Sequence, residues 1–523
     1  MKRYSGIIKN SFLVLVVLCG WSCESYFELD RPTPPPWQSP KELEMVVREG
    51  YMQFTTSDPW QTPLGALVLI HFGQSDIARV LDDRLVGNNG SLLYYNWGFG
   101  GKEPTGFEVE WCFKHLYRAI TAENAGLKLL ADAEARGEDP FVGMLAADRD
   151  FVKRLKGEMY FLRGLAYYYL ARIYAPPFNP EGTGNDKRYF VLRTEYVNQS
   201  EELKNGKLGS VAEVWKQIED DFKAAKELLP ESYVAAPEGK GRANKWAASG
   251  MLCKTYFITG RHDLAKAECD AIIGSGRYDL SEDPLRAFAR VGDQDAKEVI
   301  WEFRYDASSD RFTRTWGILG KNVYNGVRTQ AYSIYIIAYS TLMKIGWMAT
   351  NMSETDEARS DKRYQQVYMR YEAGKDPLAV VAAAYPYPAV WLDKYFNGGS
   401  HTSAQRRATV PMIRVAETYL TRAIILFRAG DKPGAAADVN LVRARAGLDP
   451  IDPTVLTEND IHNERIKELS GETDDRNYYL IGLRMPLGIG DRDATKFTPI
   501  QPPYSNYYWN VPLQEREQNQ AYH

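Results

Sequence analysis

The chain has 523 residues, of which 44% are hydrophobic and 25% are charged, and its formal net charge is −4. At roughly 100–200 residues per domain, this length allows about two to four domains or one large helical array. The near-neutral charge gives no reason to expect nucleic acid as a partner, because nucleic-acid binding usually needs a basic face. Aromatic residues reach 13%, with 34 Tyr and 12 Trp. Aromatic rings serve cores and sugar- or peptide-binding surfaces equally well, so composition leaves these uses open.

The N-terminus has the segment order of an export signal. The basic residues Lys2, Arg3 and Lys9 precede an apolar run from Phe12 to Gly20. This run is too short to span a ~30 Å hydrocarbon core and is typical of a signal sequence. Small residues and then Cys23 follow, an order that resembles a bacterial lipoprotein signal, in which the cysteine is acylated. Plain secretory cleavage is the alternative.

The cysteines farther along the chain lack metal-ligand spacing. Cys112, Cys253 and Cys269 have no CxxC or HxxxH companion. We therefore expect them to be small buried residues on helices.

Beyond Pro40 the apolar spacing predicts mostly amphipathic helices. One helix includes residues 155–173 and ends at two prolines, and a second begins near residue 211 and ends at Pro230. The aromatic residues Tyr167, Trp215 and Trp246 lie on the apolar stripes of these and the following helix, which places them in the core.

Two further helical pairs turn at glycines. Gly260 and Gly430 are each followed five residues later by alanine, Ala265 and Ala435. This is the offset of a tetratricopeptide unit, in which glycine permits the turn and alanine allows close helix approach. The helix that ends near Tyr174 and the helix that ends at Pro230 are predicted to form another such unit, with a long insertion between them. The array is therefore interrupted and is not a regular solenoid.

Chemical motifs are scarce. The six histidines form no HExxH pattern, and the chain has no GxSxG elbow or Walker loop. The "DRD" at 491–493 offers two carboxylates to calcium, but carboxylates in a turn are usually just solvated. Glu464, Arg465, Glu468 and Glu472 have helical spacing, which normally indicates a charged helix face. A hydrolase stays open as a hypothesis because catalytic Asp or Glu pairs leave no fixed sequence trace.

Several segments in order resemble the SusD/RagB family of Bacteroidetes outer-membrane lipoproteins. They are "CESYFELDRP", "EMYFLRGLAYYYLARIYAPP", "GRANKWAASGMLCKTY", "EVIWEFRY", "IRVAETYLTRA", "NLVRARAGL", "NERIKELSGE" and "WNVPLQEREQNQ". The resemblance covers nearly the whole chain. It implies a mostly α fold, with tetratricopeptide-like helical pairs on one face and irregular, loop-rich insertions with minor β structure on the other.

The same resemblance implies a function without catalysis and without a cofactor or metal. The protein would be a surface-exposed lipoprotein of the outer membrane, anchored through Cys23. It would capture oligosaccharide and deliver it to a SusC-like TonB-dependent transporter, over which it would close as a lid. A peptide-binding member of the family, a purely structural surface scaffold and, less in keeping with the motifs, a secreted glycoside hydrolase are the alternatives.

The implied domain division has three parts: a signal peptide at 1–22, a lipidated N-terminus with the proline-rich tether "RPTPPPW" at 23–40, and one helical domain at 41–523 with insertions at about 87–106 and 301–411. A sugar site needs flat rings and planar polar groups, which in this family come from the early loop and the middle irregular region. The matching ligand-binding candidates are Asp76, Arg79, Tyr94, Tyr95, Asn96, Trp97, Trp316, Tyr324, Asn325 and Arg328.

Overall fold

A computed structural model describes residues 37–55, 63–80, 95–97, 107–233, 239–288, 296–304, 323–324, 327–328, 335–366, 368–370, 387–388, 390–392, 394, 409–472 and 474–523. The predicted signal peptide, the predicted acylation site Cys23 and most of the predicted tether lie outside these residues.

Helices make up most of the described chain. They are α1 (Pro40–Thr55), α2 (Pro63–Gln74), α3 (Phe107–Arg136), α4 (Ala146–Tyr174), α5 (Ser200–Lys204), α6 (Val211–Leu228), α7 (Lys245–Ile258), α8 (His262–Gly274), α9 (Tyr339–Lys344), α10 (Asp356–Ser360), α11 (Lys362–Gln366), α12 (Val415–Arg428), α13 (Lys432–Arg445), α14 (Glu458–Leu469), α15 (Asp475–Gly482) and α16 (Leu513–Gln518). No helix within the described ranges is long and apolar enough to span a bilayer.

The helix ends follow local sequence chemistry. α6 begins at a capping box, in which the Ser210 hydroxyl accepts from the Glu213 backbone N–H and the Glu213 carboxylate accepts from the Ser210 N–H. α4 ends at Tyr174, just before the two prolines that cannot continue a helix. These ends agree with the predicted ones.

The predicted helical pairs are confirmed. α7 and α8 turn at Gly260 and α12 and α13 turn at Gly430, and the two glycines have φ values of 78° and 89°. Ala265 and Ala435 are fully buried, which lets each pair approach closely. α4 packs on α6, α6 on α7, and α8 on α12, so one continuous helical array carries the core.

The strands are short and local. They are β1 (Ala78–Val80), β2 (Arg188–Val191), β3 (Leu208–Ser210), β4 (Val299–Arg304), β5 (Val323–Tyr324), β6 (Val327–Arg328), β7 (Tyr335–Ile337), β8 (Tyr368–Arg370), β9 (Val390–Leu392) and β10 (Thr409–Arg414). In the described chain they form five antiparallel two-stranded ladders: β1–β7, β2–β3, β4–β10, β5–β6 and β8–β9. The mostly α fold with minor β structure is therefore confirmed.

The core predictions also hold. Tyr167, Trp215 and Trp246 are 0, 2 and 7% exposed, and the thiols of all three cysteines in the described chain are buried.

The prediction of a solvated charged face on α14 was wrong. Glu464, Arg465 and Glu468 are only 1, 1 and 4% exposed. Arg414, at the end of β10, donates to Glu468 and to Glu472 at 2.6 and 2.7 Å. Spacing alone could not show this, because the arginine that pairs with these carboxylates comes from another element.

Candidate functional site

Trp97 lies in a strained turn at the surface. Its φ is 53°, a left-handed conformation that costs a bulky residue on the order of 1–3 kcal/mol. The indole Nε1–H donates to the Gln74 carbonyl at 2.9 Å. The Phe497 ring meets the indole edge-to-face, with centroids 5.8 Å apart. The side chain is half-buried, so the surrounding structure fixes the ring while part of it reaches the surface.

Arg492 contacts both aromatic rings of this turn. Its guanidinium lies 4.2 Å from the Tyr95 ring centroid and 4.9 Å from that of Trp97. It donates at 2.6 to 3.0 Å to four backbone carbonyls, those of Gly73, Ser75, Tyr95 and Ile489. Burial lowers the pKa of Arg492 to about 10, so the side chain stays charged at neutral pH. This one cation joins the end of α2, the turn and the C-terminal segment.

Asp76 and Arg79 form hydrogen bonds with residues in and around the turn. Both oxygens of Asp76 accept from Arg476 at 2.6 Å, a two-pronged pairing. Burial alone would raise the pKa of Asp76, but Arg476 holds it below its ordinary value. Arg79 donates to the Tyr95 hydroxyl at 3.1 Å and to the Asp491 carbonyl at 2.8 Å. These two candidates therefore brace the site through internal contacts.

The chain around Asp76 is also tightly packed by Gly490. This glycine has a φ of 56°, and a Cβ placed on it would lie 2.2 Å from the Asp76 carbonyl oxygen. Only glycine fits this conformation and this space, so the segment that carries Arg492 is held close to the end of α2.

A second aromatic group is linked to the first through Asp491, the residue that precedes Arg492 in the chain. The Asp491 carboxylate accepts from the backbone N–H groups of Tyr339 and Ser340 at 2.8 and 3.2 Å, at the start of α9. The Tyr339 ring stacks on Tyr387, with centroids 4.6 Å apart and planes 11° from parallel. Tyr387 is 41% exposed. Neighbouring residues Asp491 and Arg492 thus connect the Trp97 turn to an exposed tyrosine.

The "DRD" segment is accounted for without calcium. Asp491 caps α9, and Asp493 accepts from the backbone N–H and hydroxyl of Thr495 at 2.9 and 2.7 Å. Among the described residues, no group of three or more His, Cys, Asp or Glu side chains is placed to hold a metal ion.

The predicted site residues differ in exposure, and some of them lie outside the described residues. Tyr95 is 5% exposed, with its ring under Arg492, whereas Asn96 is exposed. Tyr324 and Arg328 lie in the β5–β6 ladder, and Tyr94, Trp316 and Asn325 lie outside the described residues. The structure therefore brings together Asp76, Arg79, Tyr95 and Trp97. We call Trp97, Tyr387 and the residues that hold them, Arg492, Tyr95 and Tyr339, the aromatic platform.

Two family models match this chain. One, described as "Starch-binding associating with outer membrane", matches residues 104–257, and the SusD family model matches residues 233–476. The chain belongs to the SusD/RagB family. The starch-binding protein SusD of Bacteroides thetaiotaomicron is 25% identical over 433 residues, which cover 73% of this chain and 69% of that protein.

Solved SusD-family structures share the fold. A SusD superfamily protein of B. thetaiotaomicron aligns with a TM-score of 0.73 at 16% identity and covers 92% of this chain and 98% of its own. A SusD-like carbohydrate-binding protein of Bacteroides vulgatus gives a TM-score of 0.71 at 19% identity, covering 93% of this chain and 97% of its own. A laminarin-binding SusD-like protein gives 0.65 at 19% identity, covering 92% and 98%.

This SusD-family chain also has a large groove elsewhere. A cavity of about 1060 Å³ lies between α3, the loop after β2 and the C-terminal residues, and is lined in part by Trp111, Tyr117 and Tyr196. The Trp111 ring is covered by Lys114, 4.8 Å from its centroid, and by His115, stacked at 5.6 Å. Its indole is therefore less open to stacking than the groove's size suggests.

Sequence reasoning missed Arg492 and Tyr387. Arg492 lies inside the "DRD" segment, whose two aspartates are the residues that suggest a calcium site. Tyr387 lies in "YPYP", which composition marked only as loop. A buried arginine flanked by turn residues carries no periodic signal, so only the tertiary contacts identify its role.

Proposed function

We propose that this protein captures oligosaccharide at the cell surface and delivers it to a SusC-like TonB-dependent transporter of the outer membrane, over which it closes as a lid. The names of its relatives support the ligand class: one is a starch-binding protein and another a laminarin-binding SusD-like protein. A peptide ligand is the alternative within the family.

The aromatic platform is the observation that carries this proposal. Pyranose rings present C–H faces to flat aromatic surfaces, and Trp97 and Tyr387 both reach the surface. The exposed amide of Asn96, next to Trp97, would meet sugar hydroxyls. Because Arg492 and Tyr339 already hold the two rings, little conformational entropy is lost when ligand binds.

We expect no catalysis at this site. A general acid or base must be free to exchange a proton with the substrate. Asp76 accepts a bidentate pair of hydrogen bonds from Arg476, and Asp491 accepts from two backbone N–H groups. Neither Asp76 nor Asp491 is thus available as a general acid or base for hydrolysis.

We further propose that Cys23 carries the acyl chains, of palmitate type, that anchor the protein to the outer membrane. Each buried CH₂ of a lipid chain contributes about 0.8 kcal/mol, so several chains retain a protein without a spanning helix. The tether "RPTPPPW" would hold the domain away from the bilayer as a semi-rigid spacer.

Binding to a panel of polysaccharides and peptides, by affinity electrophoresis and calorimetry, tests the capture function. We expect Trp97→Ala and Tyr387→Ala each to weaken glycan binding at least tenfold, which is about 1.4 kcal/mol. The matched control is Trp111→Ala, which removes a half-buried tryptophan of the separate groove and should leave affinity unchanged. Arg492→Lys should weaken binding as well, because an ammonium has only three N–H donors and cannot bind all four carbonyls at once.

Three outcomes contradict the proposal. If the wild-type protein binds nothing on the panel, the proposed capture function is refuted. Loss of binding in the Trp111 variant with full binding in the Trp97 variant moves the site to the groove. Purification from membranes without a TonB-dependent transporter removes the delivery role.

A further inference from the structure

Two buried thiols face each other within one helical pair. Cys253 lies on α7 and Cys269 on α8, and their Sγ atoms are 3.3 Å apart. The two side chains are 6 and 0% exposed. A disulfide needs S–S near 2.05 Å, so a shift of little more than about 1 Å would join them. Cys112 differs, because its thiol lies on α3 against the Pro63 carbonyl, at 3.7 Å.

A disulfide between these two cysteines would cross-link α7 and α8. α7 and α8 are consecutive and antiparallel, turning at Gly260, and α8 packs against α12 of the next pair. A bond between residues 253 and 269 would tie the two helices together at mid-length and restrict the unfolded chain.

We propose that Cys253 and Cys269 form a disulfide when the chain folds outside the cytoplasm. This proposal rests on the export that we propose above, because disulfides persist in oxidising compartments and are rare in the cytosol. Nothing in the cysteine spacing indicates the pair: the two cysteines are sixteen positions apart in the chain, and only the helical hairpin brings the thiols together.

The chemistry is thiol–disulfide exchange with a disulfide oxidant of the periplasm. One cysteine thiolate attacks the S–S bond of the oxidant and releases one of its sulfurs as a thiol. The second cysteine then attacks the mixed disulfide, forms the intramolecular S–S bond and releases the other sulfur. Two electrons and the two cysteine protons thereby pass to the oxidant, which leaves as a dithiol.

The folded state sets the timing of this step. Contact with the Cys253 thiol and burial together raise the pKa of Cys269 well above its ordinary value. The Cys269 thiolate is therefore scarce once the helices are covered, and burial shields both thiols from a protein oxidant. Exchange would occur while α7 and α8 are still open to solvent, and the finished bond would then be shielded from reductants.

Thiol counting in denaturant tests the proposal. Protein exported with its own leader should show one titratable thiol, that of Cys112, if Cys23 is acylated. A non-reduced tryptic map should contain one peptide pair joined through residues 253 and 269, two hydrogens lighter than the separate peptides. Leaderless protein that begins at residue 24 and is made in the cytoplasm should show three thiols, at Cys112, Cys253 and Cys269.

Variants give the assay its controls. Cys112→Ser should keep the linked peptides, and Cys253→Ser should abolish them and free Cys269. Reducing the exported protein should lower its melting temperature by a few degrees, and the Cys253→Ser protein should show no such shift.

Failure of this proposal is distinguishable from failure of the export proposal. Exported protein, shown by its processed N-terminus, that still has unlinked Cys253 and Cys269 overturns the disulfide alone. If the chain is not exported, leaderless protein refolded in a glutathione redox buffer decides the matter. The linked peptides then support the pairing, and their absence refutes it.

Discussion

Arg414→Met tests the buried charge cluster that replaces the solvated face predicted for α14. The Arg414 side chain is 2% exposed and donates five hydrogen bonds at 2.5 to 2.8 Å to Glu298, Glu468 and Glu472. Methionine preserves much of the volume but removes the cation, leaving three buried carboxylates without their shared partner.

Arg445 and Lys394 still contact these carboxylates, so the substitution leaves one net buried negative charge without a partner. The expected loss of stability is about 3–5 kcal/mol, the usual result of removing one partner of a buried ion pair. Unfolding entropy is about 2.1 cal/mol/K per residue, so a domain of roughly 480 residues has about 1 kcal/mol/K. The melting temperature of Arg414→Met should therefore fall by about 3–5 °C at neutral pH.

The loss should depend on pH. In the wild type, burial would raise the pKa of Glu468 and Glu472, but the surrounding arginines and Lys394 hold it below its ordinary value. Their stabilising contribution is present above the unfolded carboxyl pKa, about 4.3, and is lost as pH falls through the folded value. Without Arg414, burial favours the protonated forms more strongly. The difference between wild type and variant should therefore be larger at pH 8 than at pH 5.

Thermal unfolding followed by circular dichroism at both pH values is the assay. The control is Arg136→Met, which breaks an exposed pair with Glu138, the two side chains being 57 and 61% exposed. Such pairs contribute about 0–1 kcal/mol, so this variant should melt within about 1 °C of the wild type. An Arg414→Met protein that behaves like this control would refute the reasoning, because the carboxylates of α14 would then be solvated as their spacing suggested.

Three further predictions concern separate parts of the chain. Gly490→Ala should destabilise the protein by more than about 1 kcal/mol and weaken glycan binding, because its Cβ would meet the Asp76 carbonyl. Gly137→Ala is the control in the same melting assay. Gly137 has a φ of 68° and nothing within 4 Å of an added Cβ, so this variant has the backbone strain without the steric clash. Burial lowers the pKa of His71 to about 3, so folded protein should lose stability as pH falls from about 6.5 toward 3, by up to about 1.4 kcal/mol per unit. NMR titration that protonates this ring near pH 6.5 would contradict its burial. Cys23→Ala should release the protein in soluble form on fractionation, whereas palmitate labelling that persists in this variant would exclude Cys23 as the anchor.

The sequence determined the helical array because its signals are local. Apolar spacing set α4 and α6, and the Gly260 and Gly430 turns with their following alanines set the later pairs. These features depend on residues three to five positions apart, where side-chain direction and backbone freedom are fixed by the helix itself. The order of the motifs along the chain likewise indicates the family.

Tertiary structure alone decided the charges and the aromatic platform. Arg414 reaches α14 from β10, and Arg492 reaches Tyr95 and Trp97 from almost 400 residues away in the chain. Buried cations of this kind are stable only where distant carbonyls or carboxylates converge, and no periodic pattern records such convergence. Tyr95 and Trp97 show what sequence cannot decide. The sequence predicts that both rings bind ligand, but in the folded protein Tyr95 is buried against Arg492 and only Trp97 reaches the surface.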